Sequence, residues 1–490
     1  MTSGLNTAFR LVFNVSKGVW QAVSEASVGR GKGSSPARAA RRASVVLSAV
    51  GTLGATAALA QALPTGGTVV GGQANVAQSG STLTVTQGSH RAAIDWQTFN
   101  VGQGHTVNFV QPSAQAVALN RVLGSDVSVI QGAINANGQV FLVNPNGVLF
   151  TPTAQVNVGG LVASTQTIST ADFMAGKTTF SGSSTASVDN QGQITAANGG
   201  TVALIAAKIV NSGHIAAPQG NVLMGAGNTV TLDLGGPVKI QVSEGALNAA
   251  IEQSGGIRAD GGVVYLSAKA AGNLAASVIN HSGITQAQTL STGEQGQIIL
   301  GADLVSHTGT LDANAPQGQG GQISVKAGLM IDAGTSNASG SQGGGTITHT
   351  AFDIQQAKTA HLLADGGAGV GGRIVLSGGA AAGGSAYLSG HLSATGAQGG
   401  QVQVSAHATT LAGAQMDTSG LNQAGEMLIG GGWQGKDARM VNANTTTVSN
   451  TTGLSNQGAN GTVVVWSDNQ TTFNGGIDAT GSAVEGLGKE

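Results

Sequence analysis

A parallel β-helix, an all-β solenoid, is the fold this sequence predicts, on three observations. First, short alternating segments recur behind paired glycines: Gly199-Gly200-Thr-Val202-Ala-Leu204, Gly261-Gly262-Val-Val264-Tyr-Leu266, Gly320-Gly321-Gln-Ile323-Ser-Val325, Gly371-Gly372-Arg-Ile374-Val-Leu376 and Gly399-Gly400-Gln-Val402-Gln-Val404. A related Gly-x-apolar-x-Ala element lies between them, starting at Gly192, Gly213, Gly309 and Gly390. Second, the spacing is that of a solenoid built from strands, with 21 residues from Gly192 to Gly213 and 28 from Gly371 to Gly399. One such strand set cannot bury its apolar face, whereas stacked coils share an interior. Third, the chain has 80 Gly among 490 residues and is 40% apolar but only 3% aromatic. That apolar content is too high for a disordered chain, and the glycine has no collagen period. A sandwich and a propeller are the competing all-β folds. Propeller blades carry periodic aromatic motifs, which four Trp and two Tyr cannot supply.

Residues 1–62 read as an address. They hold seven of the 20 basic residues and one of the 22 acids, Glu25, which leaves 63–490 with 13 basic and 21 acidic residues. Arg41-Arg42 precede an apolar run, Ala43 to Ala60, that ends in Ala58-Leu59-Ala60-Gln61-Ala62. Small-x-small cleavage sites at Ala60 and Ala62 complete a secretory signal. A membrane anchor is the competing reading, since the run approaches the ~20 residues that span a bilayer. Its Gly, Ser and Thr content and the adjacent cleavage sites favour removal. Phe9–Asn14 and Trp20–Glu25 lie upstream, where ordinary signals have nothing comparable.

The body begins with a cap, Leu63 to Thr86, in which Thr82-Leu83-Thr84-Val85-Thr86 alternates. Ile94 to Val101 alternates too, and Trp96 and Phe99 are expected to be packing residues. Asn120-Arg121-Val122 and Ile130-Gln131-Gly132-Ala133-Ile134 follow, then Asn144-Pro145-Asn146-Gly147-Val148-Leu149-Phe150. Asn-Pro-Asn-Gly between apolar strands is a tight turn: Pro145 presets φ, and Asn146 and Gly147 tolerate what comes next. Val156 to Thr165 is the next apolar run.

This ordered series, from about Leu63 to Ser169, resembles the secretion domain of the filamentous haemagglutinin family, the exported partner of two-partner secretion systems. Phe9–Asn14 and Trp20–Glu25 likewise resemble the extended signal peptides of large exported proteins of Gram-negative bacteria. The resemblance implies a right-handed β-helix with an N-terminal capped secretion domain. It divides the chain into an extended signal peptide (1–62), a secretion domain (63–169) and glycine-rich repeats (170–490). It makes Asn120, Arg121, Asn144, Pro145, Asn146 and Gly147 the secretion motif. The implied product is a secreted or surface-exposed adhesin-type exoprotein that passes through the periplasm. The implied partner is an outer-membrane transporter whose periplasmic domains bind the secretion domain, with host or neighbouring-cell glycans or proteins as surface ligands. Thr151 departs from the Gly of many relatives, a second Asn-Pro-Asn motif is missing, and the last repeat breaks off as in an abbreviated exoprotein.

Other chemistry finds little support. No Gly-x-Ser-x-Gly elbow or cysteine nucleophile exists. The nine His include no His-Glu-x-x-His or His-x-x-x-His pair, so zinc is unsupported and no cofactor is expected. Gly367, Gly369 and Gly372 match Gly-x-Gly-x-x-Gly but precede a strand and no helix. The same stretch offers Gly371 where a calcium-binding nonapeptide needs Asp. An acidic, Lys/Arg-poor mature chain is a poor partner for nucleic acid. The alternative function is a β-helical polysaccharide-active enzyme exported by the general route, because coils can bring distant carboxylates together.

Overall fold

The computed structural model describes residues 9–14, 19–24, 62–233, 239–272, 276–291, 293–380, 383–481 and 483–484. The chain forms two units, 1–57 and 58–490. Within the first, Phe9–Asn14 and Val19–Ser24 form an antiparallel hairpin with Phe9 opposite Ser24. The apolar run Ala43 to Ala60, with the cleavage position Ala60, lies outside the described residues.

The second unit opens with antiparallel strands. Thr68–Gly71 pairs with Arg91–Trp96, and Ala74–Ser79 pairs with Thr82–Gln87. From Thr82–Gln87 onward the pairing along the coil axis is parallel, first to Thr106–Val110 and then to Ala133–Ala136. The antiparallel pairs therefore cap an edge that would otherwise recruit another strand.

Each coil contributes three short strands. Thr201–Ala206, Lys208–Asn211 and His214–Ala216 make one coil, and Asn221–Ala226, Ala250–Gln253 and Gly256–Arg258 stack on it in register. The third strands form a 16-stranded sheet ending at Gly476–Asp478. The first and second strands share the other sheet, and they fuse into single 11-residue strands at Gln297–His307 and Gln322–Asp332. This is a parallel β-helix, with neighbouring strands ~4.8 Å apart.

The recurring glycines follow from that spacing. A Cβ on Gly213 would sit 2.3 Å from the Gly192 carbonyl oxygen, and one on Gly255 would sit 2.1 Å from that of Gly213. Any side chain at this corner would push the coils apart. Between corners, alternate residues turn inward. Val202, Leu204, Ile323, Val325, Ile374, Leu376, Val402 and Val404 are all buried, whereas Arg373 is exposed. They belong to one apolar interior that runs from Leu63 to Val465. Trp96 and Phe99 pack within it edge to face at 5.6 Å, as packing residues should.

A second apolar cluster lies on the outside of the early coils, and sequence periodicity did not reveal it. Ser169 caps the short helix Thr170–Met174, and Thr179–Ser181 joins Thr229–Leu232 and Ile240–Glu244 in a small antiparallel sheet. Phe173, Phe180, Val230, Leu232 and Ile240 cover the outer face at Leu119, Phe141, Val162 and Ile205. The covered strands are apolar on both faces, Gln139-Val-Phe-Leu-Val143 for example, and strands buried on both sides lose the alternation that marks a half-exposed one.

Candidate functional site

The Asn144–Gly147 turn joins the strands Gln139–Val143 and Val148–Phe150. The Gly147 N–H donates to the Asn144 carbonyl at 3.0 Å, which closes the turn, and Gly147 has φ +119, a conformation that side chains rarely adopt. The Asn144 side chain does more than hold its own turn. Its Oδ1 accepts from the Asn146 N–H at 2.9 Å, while its Nδ2 donates to the Asp126 carbonyl and the Ser128 hydroxyl, both at 2.9 Å. Asn146 Nδ2 donates to the Gly124 carbonyl at 2.8 Å and to Asn144 Oδ1 at 3.1 Å. Both asparagines thereby pin the loop of the preceding coil. From the other side, the Ser184 hydroxyl donates to the Pro145 carbonyl at 2.6 Å.

Asn120 and Arg121 are neighbours with opposite duties. Asn120 points into the interior, where it accepts from the Trp96 indole N–H at 3.0 Å and donates to the Ala118 and Phe141 carbonyls. Fully buried, it satisfies its own amide and the only polar atom of the indole. Arg121 points outward and grips Asp95 with two bonds of 2.9 Å. It also reaches the Ile168 carbonyl at 3.4 Å and the Thr170 hydroxyl at 3.2 Å. This fork ties the Arg91–Trp96 strand to the start of the outer helix, with a geometry Lys would not reproduce.

The six motif residues thus form two groups. The turn stitches coil to coil, and Asn120–Arg121 link the interior tryptophan to the outer cover. Asn144 and Asn120 are fully buried, and Pro145 and Asn146 are half-buried. Ser128, Asp95, Gly124 and Asp126 complete the arrangement and went unread in the sequence. Asp95, in Ile94-Asp95-Trp96, offered the one usable signal, a lone acid in an alternating apolar strand. At the signal end, the carbonyl of Ala62 accepts from the Gly102 N–H at 2.7 Å, so the folded coil begins beside that cleavage position.

A shallow cleft of about 640 Å³ lies beside the turn, bordered by Ser125, Pro145, Asn146, Gln166, Ser184 and Thr185. Buried Gln166 Oε1 and Thr165 Oγ1 have no hydrogen-bond partner. No group of acids, His or Cys among the described residues is arranged to hold a metal.

Comparison with known proteins fits this geometry. The TPS secretion domain family matches residues 60–325, and the Extended Signal Peptide of Type V secretion system matches residues 6–58. A heme/hemopexin-binding protein of Haemophilus influenzae is 35% identical over 265 residues, 51% of this chain and 28% of the relative. Another protein of that name and species is 52% identical over 84 residues, 17% of this chain and 9% of the relative. The chain therefore aligns with under a third of either relative's length. The crystal structure of the HMW1 secretion domain from Haemophilus influenzae superposes with a TM-score of 0.59 at 22% identity, covering 86% of this chain and 100% of that one, a likeness of fold. With more than half its length matched, the chain belongs to the TPS secretion domain family: it is a two-partner secretion exoprotein, exported through the periplasm and across the outer membrane.

Proposed function

We propose that a dedicated outer-membrane transporter reads the secretion motif of this exoprotein before the coils close, and that folding outside the cell then hides the motif. The burial of Asn120 and Asn144 carries this reading. Neither amide has a free face in the folded coil, so a partner that reads them must meet the chain extended. Unfolded alternating segments suit such a partner, because they can add as a strand to an exposed sheet edge. The motif then has successive uses, first as a recognition sequence and afterwards as the stitching of the first coils.

Residues 1–62 act as the address and 63–169 as the recognised segment in this scheme. A fragment ending at Ser169 lacks Phe173, Phe180, Val230, Leu232 and Ile240, and so leaves Phe141 and Val162 uncovered. It retains every motif residue. Export assays with the cognate transporter should compare the signal plus 63–169 with the signal plus 63–244. Both fragments should reach the medium, the shorter one with lower stability. Retention of both in the periplasm with the transporter present would end the proposal. Export of the longer fragment alone would mean that recognition needs the folded, covered domain.

The mature coils act by binding and not by catalysis, with an adhesive outer face directed at glycans or proteins of a host or neighbouring cell. Family membership and the sparsely charged outer strands support that reading. Heme and hemopexin, named for the relatives, are the first ligands to assay, although the alignment covers only a small part of those proteins.

A further inference from the structure

One column of the largely apolar interior is polar over seven successive coils. Cross-strand register places Asn190, Asn211, Gln253, His281, His307, Asp332 and Gln356 directly above one another in successive coils. The column begins beside Phe150 and ends at Leu388. Its chemistry changes along the way. Asn190 donates to Asn211 at 2.7 Å and Asn211 donates to Gln253 at 2.8 Å, a neutral amide ladder. The middle is titratable, with His281, His307 and Asp332 at most 1% exposed, and His349 of the adjoining strand wholly buried.

The hydrogen bonds fix the protons of the histidine pair. His307 Nε2 faces the Thr335 carbonyl at 3.3 Å, an acceptor, so this nitrogen carries the hydrogen. A neutral His307 must then accept at Nδ1, where His281 Nδ1 lies 3.1 Å away as donor. His281 Nε2 in turn accepts from the Thr285 hydroxyl at 2.8 Å. One added proton can be absorbed by reversing this chain. A second sets two N–H groups against each other inside an apolar lumen. Beyond them, His349 Nδ1 stands 3.9 Å from Asp332 Oδ2, too far for a hydrogen bond, and neither atom has another partner.

No other acid or base faces this cluster among the described residues. The column continues to Gln253 on one side and Gln356 on the other, and the neighbouring third strands present Thr285 and Ser336. The charged residues on the same coils, Glu294, Asp303, Asp312, Lys326, Asp353 and Lys358, are all at least partly exposed.

We propose that His281, His307, Asp332 and His349 form an acid-sensitive latch: the coils from Val278 to Gln356 stay closed near neutral pH and open as the surroundings acidify. Burial holds His281 down to about 3, His307 to about 4 and His349 to about 3, all from an ordinary 6.5. Burial pushes Asp332 the other way, from 3.8 up to about 7. Between about pH 4.5 and 6, opening lets three imidazoles bind protons and makes Asp332 release one, a net uptake of up to about two, because Asp312, which burial also raises, releases some as well. Stability therefore rises with pH across this window, and the opening constant grows by up to ~100-fold for each unit of acidification. On the export route proposed above the coils close outside the cell, so the pH met there sets how firmly these middle coils stay shut.

Hydrogen exchange of the full mature chain, measured from pH 4.5 to 7 and corrected for the intrinsic exchange rate, tests the latch. Peptides from 278–356 should lose protection up to ~100-fold per pH unit between about pH 6 and 4.5, with the slope fading toward pH 7. Peptides from 201–211, beside the neutral ladder, should show no such slope. The double variant H281Q/H307Q lowers the net uptake to about zero and should flatten the response, while D332N should steepen it to ~1,000-fold per unit. Equal slopes in the two regions, or an unchanged slope in H281Q/H307Q, would overturn the proposal. If the double variant does not fold, D332N decides, because a slope matching the wild type also rules the latch out.

Discussion

Asn144 illustrates how much one side chain can hold here. Its amide serves its own turn, the preceding loop and a serine hydroxyl, so N144A leaves the Asn146 N–H and Ser128 with fewer partners. A loss of about 0.5–2 kcal/mol is expected by analogy with lost caps, read as a shift in the denaturant midpoint of the secretion domain. Binding of the unfolded N144A peptide to the transporter measures the other half of the question. Unchanged affinity would leave the residue a purely structural role. Ile374 and Arg373 form a second contrast, adjacent in sequence and on opposite faces. I374D buries an unpaired charge in the lumen and should cost more than ~4 kcal/mol. R373D removes an exposed side chain that bonds Gln401 and the buried Gln403, and should cost less, about 1–2 kcal/mol. Thermal melts should fall far more for I374D than for R373D, and the opposite order would mean that the strand alternates the other way.

At the level of elements, the outer sheet is the part that the first coils depend on. Phe180 is fully buried with its ring centroid 6.0 Å from that of Phe141. F180A should cost about 3–5 kcal/mol, with the loss confined to chemical unfolding of fragments that contain the early coils. Little change would mean that the cover is dispensable. The alternating strands were legible where one face is wet, so Ile323 and Val325 announced themselves by period. Thr179–Ser181 and Ile240–Glu244 did not, since three to five residues joined by long connections carry too little pattern. The turn was legible from Pro145 and Gly147, whose backbone preferences are local. Its partners were not, because Asp126, Gly124 and Ser184 reach it through coil stacking that no local rule encodes.

Across the whole molecule, the fold could be read because repetition multiplies a weak local signal. The polar column could not. Asn190, Asn211, Gln253, His281 and His307 are scattered in sequence, and only register shows that they stack. Each looked like an ordinary polar residue at the end of a strand. Paired glycines were informative for the opposite reason, since the same steric limit acts on every coil and leaves the same mark.

That column also bears on how such a chain can gain or lose repeats. Most coils meet their neighbours through three strands of similar length, so excising one whole turn leaves a backbone able to reseal. The lumen is less forgiving. Removing the turn that carries His307 would set His281 against Asp332, and removing the one that carries Gln253 would set Asn211 against an imidazole. Duplication and deletion should therefore be tolerated beyond Leu388, where the column is aliphatic, and resisted between Asn190 and Gln356, so that the order of the middle turns is fixed by chemistry even where their geometry is interchangeable.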